Sequence, residues 1–181
     1  NWGLYDDAIT VLRRPVDFKM EPAGSYPLLH YYLGYLYSLK GDQAKSSDHY
    51  GQGSRLPVDY CFPFRLETME VLNAALQMNP EDARAMYYLG NLLYDLQPEK
   101  ALAYWEKARA LTTDFSAVHR NLGWGYFRVK NNLTNAMASY EQALAYRTND
   151  ARLIFELDSL YEFANVAPER RLALFERHQA V

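Results

Sequence analysis

A short pattern of small and large residues recurs along this chain and constrains its fold more than any other feature. The clearest copy, in residues 86–111, reads MYYLGNLLYDLQPEKALAYWEKARAL. Apolar residues around Gly90 and around Trp105 recur at helical intervals, which predicts two helices joined by a short turn. Small residues such as Gly90 and Ala101 let the helices approach closely, while large ones fill the space around them. One helix pair cannot bury its own apolar face, so further copies are expected.

Further copies are present at nearly constant spacing. The first-helix pattern recurs in residues 30–37, 119–126 and 154–161. Gly90 and Gly123 are 33 residues apart, and Asp158, which replaces the glycine in the last copy, follows 35 residues later. Both intervals are close to the period of about 34 residues that tandem helix pairs show. The second-helix pattern of small, large and small residues recurs in 46–53 and 136–143.

One interval is longer and predicts an insertion. Gly34 and Gly90 are 56 residues apart, which exceeds one period by roughly 22 residues. Residues 58–63 are unsuited to a helix, whereas residues 65–78 carry an apolar stripe at helical spacing, so we expect a loop followed by an extra helix without a partner of its own. The expected organisation is one repeat domain over 1–181, with a first segment 1–57, the irregular loop and helix 58–79, and regular repeats 80–181.

Together these patterns predict an all-α fold. We expect a right-handed superhelical solenoid of about ten antiparallel helices, stabilised mainly by contacts between neighbouring helices. The first helix is predicted over residues 3–14 and should stop at Pro15. Residues 16–27 contain further prolines and a Gly-Ser pair, which predict a loop.

The recurring first-helix and second-helix patterns resemble the tetratricopeptide repeat (TPR) family over nearly the whole chain. A narrower resemblance is carried by the segments YCFPFRLE, YYLGNLLYD and ELDSLY, which begin at Tyr60, Tyr87 and Glu156. They look like the C-terminal repeat region of large bacterial proteins that begin with a β-rich, mutarotase-like domain and are associated with carbohydrate metabolism. That resemblance implies that catalysis belongs to another domain and that this chain is a helical appendage. The missing initiator methionine also suggests a fragment of a longer polypeptide.

Composition excludes several classes of function. The formal net charge is -3, with cations scattered among acids, so a nucleic-acid partner is not expected. No apolar run approaches a membrane span, and Asn1 does not begin a signal peptide. Cys61 is the single cysteine, which predicts a reduced, cytoplasmic setting and no zinc site. Gly-rich phosphate loops, metalloprotease motifs and nucleophile triads are lacking, so we predict no enzyme activity, no catalytic residues, no metal and no cofactor. The 16 tyrosines are a compositional excess that needs an explanation.

Candidate binding residues follow from the repeat geometry. In a solenoid of this kind the first helices line a concave face, and positions counted from each pattern glycine select its side chains. The predicted ligand or partner contacts are Tyr31, Tyr35, Tyr87, Asn91, Tyr94, Arg120, Trp124 and Phe127, with Ser38, Phe155, Ser159 and Glu162 at equivalent positions. An aromatic groove suits an extended peptide, a partner protein or an adjacent domain of the same polypeptide. The alternative is an accessory region of a bacterial glycan-active enzyme, with rings that stack on sugars. Individual rings can equally pack between helices.

A more specific reading compares the chain with relatives that clamp a C-terminal carboxylate. Asn91, Asn121 and Arg152 fall at positions resembling three members of such a clamp, but the other two positions hold Tyr87 and Glu156. A bound carboxylate beside Glu156 would be repelled unless a cation intervened. We therefore expect the asparagines to serve helix packing instead.

Two other features have competing interpretations. Residues 60–65 can be a partner contact with Phe62 and Phe64 as anchors, or a plug that fills the gap beside the extra helix; the burial preference of Phe and Cys favours the plug. An exposed solenoid end near Trp2 and Leu4 could also pair in a homodimer.

Overall fold

The structure is a computed structural model that describes residues 4–20, 23–112 and 114–178. The described residues form ten α-helices and a short 3-10 helix, Ala23–Ser25, and they contain no β-strand. The helices are α1 (Tyr5–Asp17), α2 (Pro27–Leu39), α3 (Gln43–Gly53), α4 (Glu67–Met78), α5 (Ala83–Leu93), α6 (Pro98–Leu111), α7 (Ser116–Arg128), α8 (Leu133–Tyr146), α9 (Ala151–Phe163) and α10 (Pro168–Arg177). The predicted all-α fold of about ten helices is confirmed.

Local side chains set most of the helix starts. The side chains of Asp42, Asp82, Asn132 and Asp150 each accept a hydrogen bond from a backbone N–H in the first turn of the following helix. Helices α2, α6 and α10 instead have proline at the start, where its missing N–H would have no helical partner. These capping residues and prolines can be recognised in the sequence, which is why most of the predicted boundaries agree with the structure.

The predicted end of the first helix at Pro15 is wrong, because α1 continues to Asp17. Pro15 lies in the last turn, so its missing N–H removes a single bond of the helical ladder. The Phe18 N–H still donates to the Arg14 carbonyl at 3.0 Å. The predicted loop over 16–27 is correspondingly shorter, and its Pro22 lies outside the described residues.

The chain forms two compact units, Asn1–Asp95 and Leu96–Val181. In the first unit α2 packs against α1, α3 and α4. The extra helix α4 packs against both α2 and α5, and the hydroxyls of Tyr32 on α2 and Thr68 on α4 are 2.8 Å apart. Leu72 of α4 is fully buried. The helix expected to lack a partner is therefore part of the core of the first unit.

In the second unit, the pair α7 and α8 makes the most extensive contact, and α6, α9 and α10 each pack against their neighbour in the chain. The pattern glycines explain the close approach within pairs. A Cβ atom added at Gly34 would lie 2.6 Å from the Tyr50 ring, and one added at Gly123 would lie 2.5 Å from the Tyr140 ring. Both distances are far below van der Waals contact, so each glycine is required by the aromatic ring of the second helix.

Tyrosine hydroxyls join successive helices in the second unit, which gives two of the 16 tyrosines a structural role. The Tyr126 hydroxyl donates to Glu106 at 2.9 Å, and the Tyr161 hydroxyl donates to Glu141 at 2.5 Å. Both pairs are 20 residues apart and link a first helix to the second helix of the preceding repeat. The same hydrogen bond thus recurs with the repeat, and the ring of each tyrosine is buried beside it.

Asp158 occupies the pattern glycine position of the last repeat and is compensated by α10. Arg171 donates to both carboxylate oxygens of Asp158, at 2.8 and 2.9 Å. This bidentate pair takes the place of the contact between a glycine and a ring. In the last repeat an ion pair therefore joins α9 and α10 where a glycine and a ring would otherwise meet, and the helix pair is retained.

Candidate interaction surface

The predicted binding residues of the first unit are largely used for packing. Tyr31 is fully buried, and its hydroxyl donates to both carboxylate oxygens of Asp82. Tyr87 is also buried, with its ring centroid 5.4 Å from that of Tyr88. The prediction that Tyr31 and Tyr87 present their side chains to a ligand is corrected on this point, because both rings lie inside the helix packing.

Tyr35 is partly exposed, but its hydroxyl donates to Glu70 of α4 at 2.5 Å. Helix α4 therefore covers part of the face of α2 that the repeat geometry had assigned to a ligand. Tyr35, Ser38 and Glu70 line a cleft between these two helices. Asn91 on α5 and Tyr94, which follows the end of that helix, are partly exposed. Their proposed contact with a partner stays a prediction.

The predicted residues of the second unit form a surface that is accessible to solvent. Arg120, Trp124 and Phe127 lie on one side of α7, and Trp124 is 44% exposed. Phe127 packs edge to face against Phe163 of α9, with ring centroids 5.1 Å apart, and against Trp124 at 6.3 Å. We call this surface the α7–α9 face; its members are Arg120, Trp124, Phe127, Arg128, Arg152, Glu156 and Phe163.

Charged groups flank the aromatic rings of the α7–α9 face. Arg120 donates to both oxygens of Glu156 at 2.7 and 2.6 Å, and Arg152 donates to the same carboxylate at 2.9 Å. Burial alone would raise the pKa of Glu156, but the hydrogen bonds and positive charges of the two arginines outweigh it and hold that pKa below its ordinary value. The Arg128 guanidinium lies over the Trp124 ring, 5.3 Å from its centroid. Two arginines thus contact Glu156 and a third covers Trp124, so the seven residues of the α7–α9 face carry three positive charges and one negative charge.

In the comparison with carboxylate clamps, the condition for binding beside Glu156 was a nearby cation. A bound carboxylate would be repelled unless a cation intervened, and the two arginines on either side of Glu156 are such cations. Counting from the pattern glycine had selected Phe155, Ser159 and Glu162 on α9, all of which are exposed. The side chains that meet α7 are instead Glu156 and Phe163. The signal was available in the stripe of Arg152, Glu156 and Phe163, which are spaced by whole helical turns.

Residues 60–66 form a second exposed surface, and the expectation that they act as a plug is wrong for their aromatic side chains. Cys61 and Pro63 are buried, but Tyr60, Phe62 and Phe64 are 90%, 66% and 79% exposed. Burial raises the pKa of the Cys61 thiol, so it is a packing group rather than a nucleophile. Of the solenoid end proposed for self-association, Leu4 is exposed, whereas Trp2 lies outside the described residues.

Two further observations concern metals and membranes. Within the described ranges, no group of three or more His, Cys, Asp or Glu side chains is placed to hold a metal ion. None of the helices that the structure describes has the length and apolar character needed to cross a membrane. The cytoplasmic location stays a prediction.

The paired helices, the glycines that receive aromatic rings and the recurring tyrosine bonds define a helical repeat protein with the TPR-type fold. No known family profile matches the sequence. Solved structures do share the fold. MamA is 18% identical over 97% of this chain and 87% of its own, with a TM-score of 0.58.

Two more solved structures show the same likeness. A chain of the APC/C heterotetramer Cut9–Hcn1 is 16% identical, with a TM-score of 0.54 over 97% of this chain and 36% of its own. PilF of Pseudomonas aeruginosa is 20% identical, with a TM-score of 0.50 over 97% of this chain and 69% of its own. At such identities the likeness concerns the fold.

Proposed function

We propose that this chain is a non-catalytic protein-interaction module that binds an acidic, aromatic-containing segment of a protein on the α7–α9 face. The segment belongs to a partner protein or to another domain of the same polypeptide. The fold supports this proposal, because one of the structural neighbours is a subunit of a named heterotetramer. TPR-type solenoids in general offer extended surfaces of preorganised shape.

The observation that carries the proposal is the exposed Trp124 among rings and cations. Interface hot spots are enriched in tryptophan, tyrosine and arginine, and they lie in clusters surrounded by other contacts that exclude water. Trp124 is exposed, although Phe127, which itself packs on Phe163, supports it and Arg128 covers part of its ring. A large side chain held in one position loses little conformational entropy when it binds.

The charge of the face selects the chemistry of the partner. The Arg152 side chain is 71% exposed, while its Nε already donates to Glu156. Its terminal nitrogens therefore have room to donate to an incoming carboxylate, and a guanidinium can do so in a bidentate manner. Aspartate or glutamate near an aromatic residue on the partner would place a carboxylate at Arg152 and a ring at Trp124.

Fluorescence of Trp124 gives a direct test. The probe is a synthetic peptide with alternating glutamate and phenylalanine, and its matched control has lysine in place of glutamate. Trp105 is buried and Trp2 lies outside the described residues, so Trp124→Phe identifies the Trp124 signal as the part of the change that disappears. We expect saturation by the acidic peptide, weaker binding at high salt and no response to the lysine peptide. Equal responses to both peptides, or none to either, would overturn the proposal.

A second candidate function is the binding of a glycan by the same exposed indole, as the carbohydrate-related resemblance implies. Sugars stack on open aromatic faces, and Trp124 is the exposed tryptophan of the described residues. The Arg128 guanidinium covers one side of that ring, which leaves less room for stacking and favours the peptide. Titration with a panel of neutral oligosaccharides discriminates the two, because saturation of the Trp124 signal by a sugar supports this second function and a flat response removes it.

A further inference from the structure

Residues 60–66 present a row of apolar side chains that the rest of the described structure leaves uncovered. Tyr60, Phe62, Phe64 and Leu66 are all exposed, whereas the intervening Cys61 and Pro63 are buried. Exposed and buried residues therefore alternate from Tyr60 to Phe64, and Arg65 and Leu66 after them are both exposed. We call residues 60–66 the aromatic segment.

The aromatic segment is anchored by its inward-facing residues. The Cys61 side chain is fully buried, and this burial raises the pKa of its thiol. The Cys61 N–H donates to the Val58 carbonyl at 3.1 Å. Because the backbone is held from inside, the outward rings are offered to a partner with little ordering left to do.

Charges at both ends of the aromatic segment are complementary to the α7–α9 face. Asp59 precedes it and Glu67 and Glu70 follow it, whereas Arg65 is its single cation. Arg65 lies over the Phe64 ring, 5.5 Å from the centroid, and is 3.5 Å from Glu67. The segment is thus aromatic with a negative surround, which is the chemistry that the positively charged α7–α9 face selects.

We propose that the aromatic segment of one molecule occupies the α7–α9 face of a second copy of this chain. The inference rests on the proposed function of that face and names its partner. The interface joins two different surfaces, so association is head to tail and leaves one of each surface free at the ends of a dimer. Longer chains of molecules then form at higher concentration.

The exposed area sets the strength of this association. At about 200 Å² for a complete aromatic side chain, the three rings of the segment offer roughly 450 Å². A stable interface buries about 800 Å² on each partner, and smaller interfaces are typically transient. We therefore expect weak, reversible assembly with micromolar rather than nanomolar dissociation constants, weakened further by salt.

Two variants and their mixture test the proposal by sedimentation velocity. One variant, Phe62→Ser with Phe64→Ser, removes the segment and keeps the face. The other, Trp124→Ala with Arg152→Glu, removes the face and keeps the segment. All four positions are exposed, and circular dichroism checks that both variants stay folded. Phe18→Ser, at another exposed phenylalanine of the first unit, is the matched control.

We expect the wild-type chain and the control to self-associate, and each double variant alone to bind about tenfold more weakly or to be monomeric. An equimolar mixture should recover a one-to-one complex, because the intact face of one variant meets the intact segment of the other. A monomeric wild type, a monomeric mixture, or continued association of the face variant by itself would each overturn the inference. If the wild type is monomeric while the acidic peptide still changes Trp124 fluorescence, the proposed function stands without this partner. If the acidic peptide also leaves the Trp124 fluorescence unchanged, both the proposed function and this inference are overturned.

Discussion

The Tyr31 hydroxyl donates to both carboxylate oxygens of Asp82, at 3.0 and 2.9 Å, across 51 residues of sequence. Asp82 also accepts hydrogen bonds from the Arg84 and Ala85 N–H groups at the start of α5. Burial raises the pKa of Asp82, against the opposing effect of these hydrogen bonds. One carboxylate therefore caps a helix and ties α2 to α5, and a tyrosine assigned by repeat geometry to a binding groove serves the core instead.

Removal of that hydroxyl should destabilise the first unit. In Tyr31→Phe the buried Asp82 loses one donor while the ring remains, and we expect the free energy of unfolding to fall by about 1–3 kcal/mol. Urea denaturation followed by circular dichroism measures the change. Tyr60→Phe, at an exposed tyrosine, is the matched control and should leave the midpoint unchanged. Identical midpoints for the two variants would show that the bond to Asp82 is not stabilising.

The pattern glycines should tolerate no side chain. In Gly123→Ala the new Cβ would lie 2.5 Å from the Tyr140 ring, so α7 and α8 must separate, and we expect a loss of about 1–3 kcal/mol from overpacking. Gly51→Ala is the matched control, because Gly51 is also inside a helix but its added Cβ would meet only the Arg55 side chain, at 3.6 Å. That variant should be stabilised by about 0.5–1 kcal/mol. Thermal unfolding measures the stability of both variants. A Gly123→Ala protein as stable as the wild type would contradict the close-approach explanation.

Stability should decrease on mild acidification because of His49. Its ring stacks on Tyr37, and its Nδ1 lies 3.2 Å from Nδ1 of His30. Burial, then the neighbouring His30, lower the pKa of His49, with Arg13 acting in the same direction and Asp48 and Asp17 opposing it. The unfolded chain therefore binds more protons than the folded chain between the lowered pKa and the ordinary value of about 6.5. Stability rises with pH through that window and is lost as the pH falls.

Denaturation midpoints between about pH 5 and pH 8 measure this effect. His49→Gln should show a shallower slope than the wild type, and the slopes should agree near pH 8, where His49 is neutral. A residual slope is expected in the variant, because burial also lowers the pKa of His119. Parallel curves over the whole range would exclude a contribution from His49.

The ion pair at the last repeat should be more strongly coupled than an exposed one. Asp158 and Arg171 are both largely buried at their side chains and form two hydrogen bonds, whereas Arg13 and Asp17 on α1 are about half exposed and share one. Double-mutant cycles with Asp158→Asn and Arg171→Gln, and with Asp17→Asn and Arg13→Gln, compare the two coupling energies. We expect the larger value for the 158–171 pair, because screening by water weakens exposed pairs. The reverse order would mean that Asp158 is not compensated by α10.

The helices themselves could be predicted because their signals are local. Caps such as Asp82 and Asn132, prolines at helix starts and the small residues at Gly34 and Gly123 each act within a few residues or within one helix pair. Pro15 misled the prediction because the same residue can end a helix or sit in its last turn. The outcome depends on whether the following N–H groups find carbonyl partners, as those of Phe18 and Met20 do.

The accessibility of the candidate site residues was harder to predict than the helices. Arg120, Trp124 and Phe127 lie on one side of α7, with Trp124 exposed and the other two partly exposed, and their contact with a partner stays a prediction. Tyr31 and Tyr87 were misplaced, since Tyr31 is buried against the carboxylate of Asp82 and Tyr87 is buried beside the Tyr88 ring. The exposure of Phe62 and Phe64 was also unexpected, because a residue's average preference for burial says nothing of which neighbours are available to cover it.

The sequence by itself determined that this protein is built of paired helices, because the repeat period and the small residues at the contacts favour close packing within each pair. The tertiary structure alone decided which aromatic rings are buried and which face solvent. That choice depends on partners far along the chain, such as Asp82 for Tyr31, Glu156 for Arg120 and Phe163 for Phe127. Contacts between distant residues are set only when the helices are placed together. They distinguish the buried Tyr31 from the partly exposed Arg120, although the two occupy equivalent repeat positions.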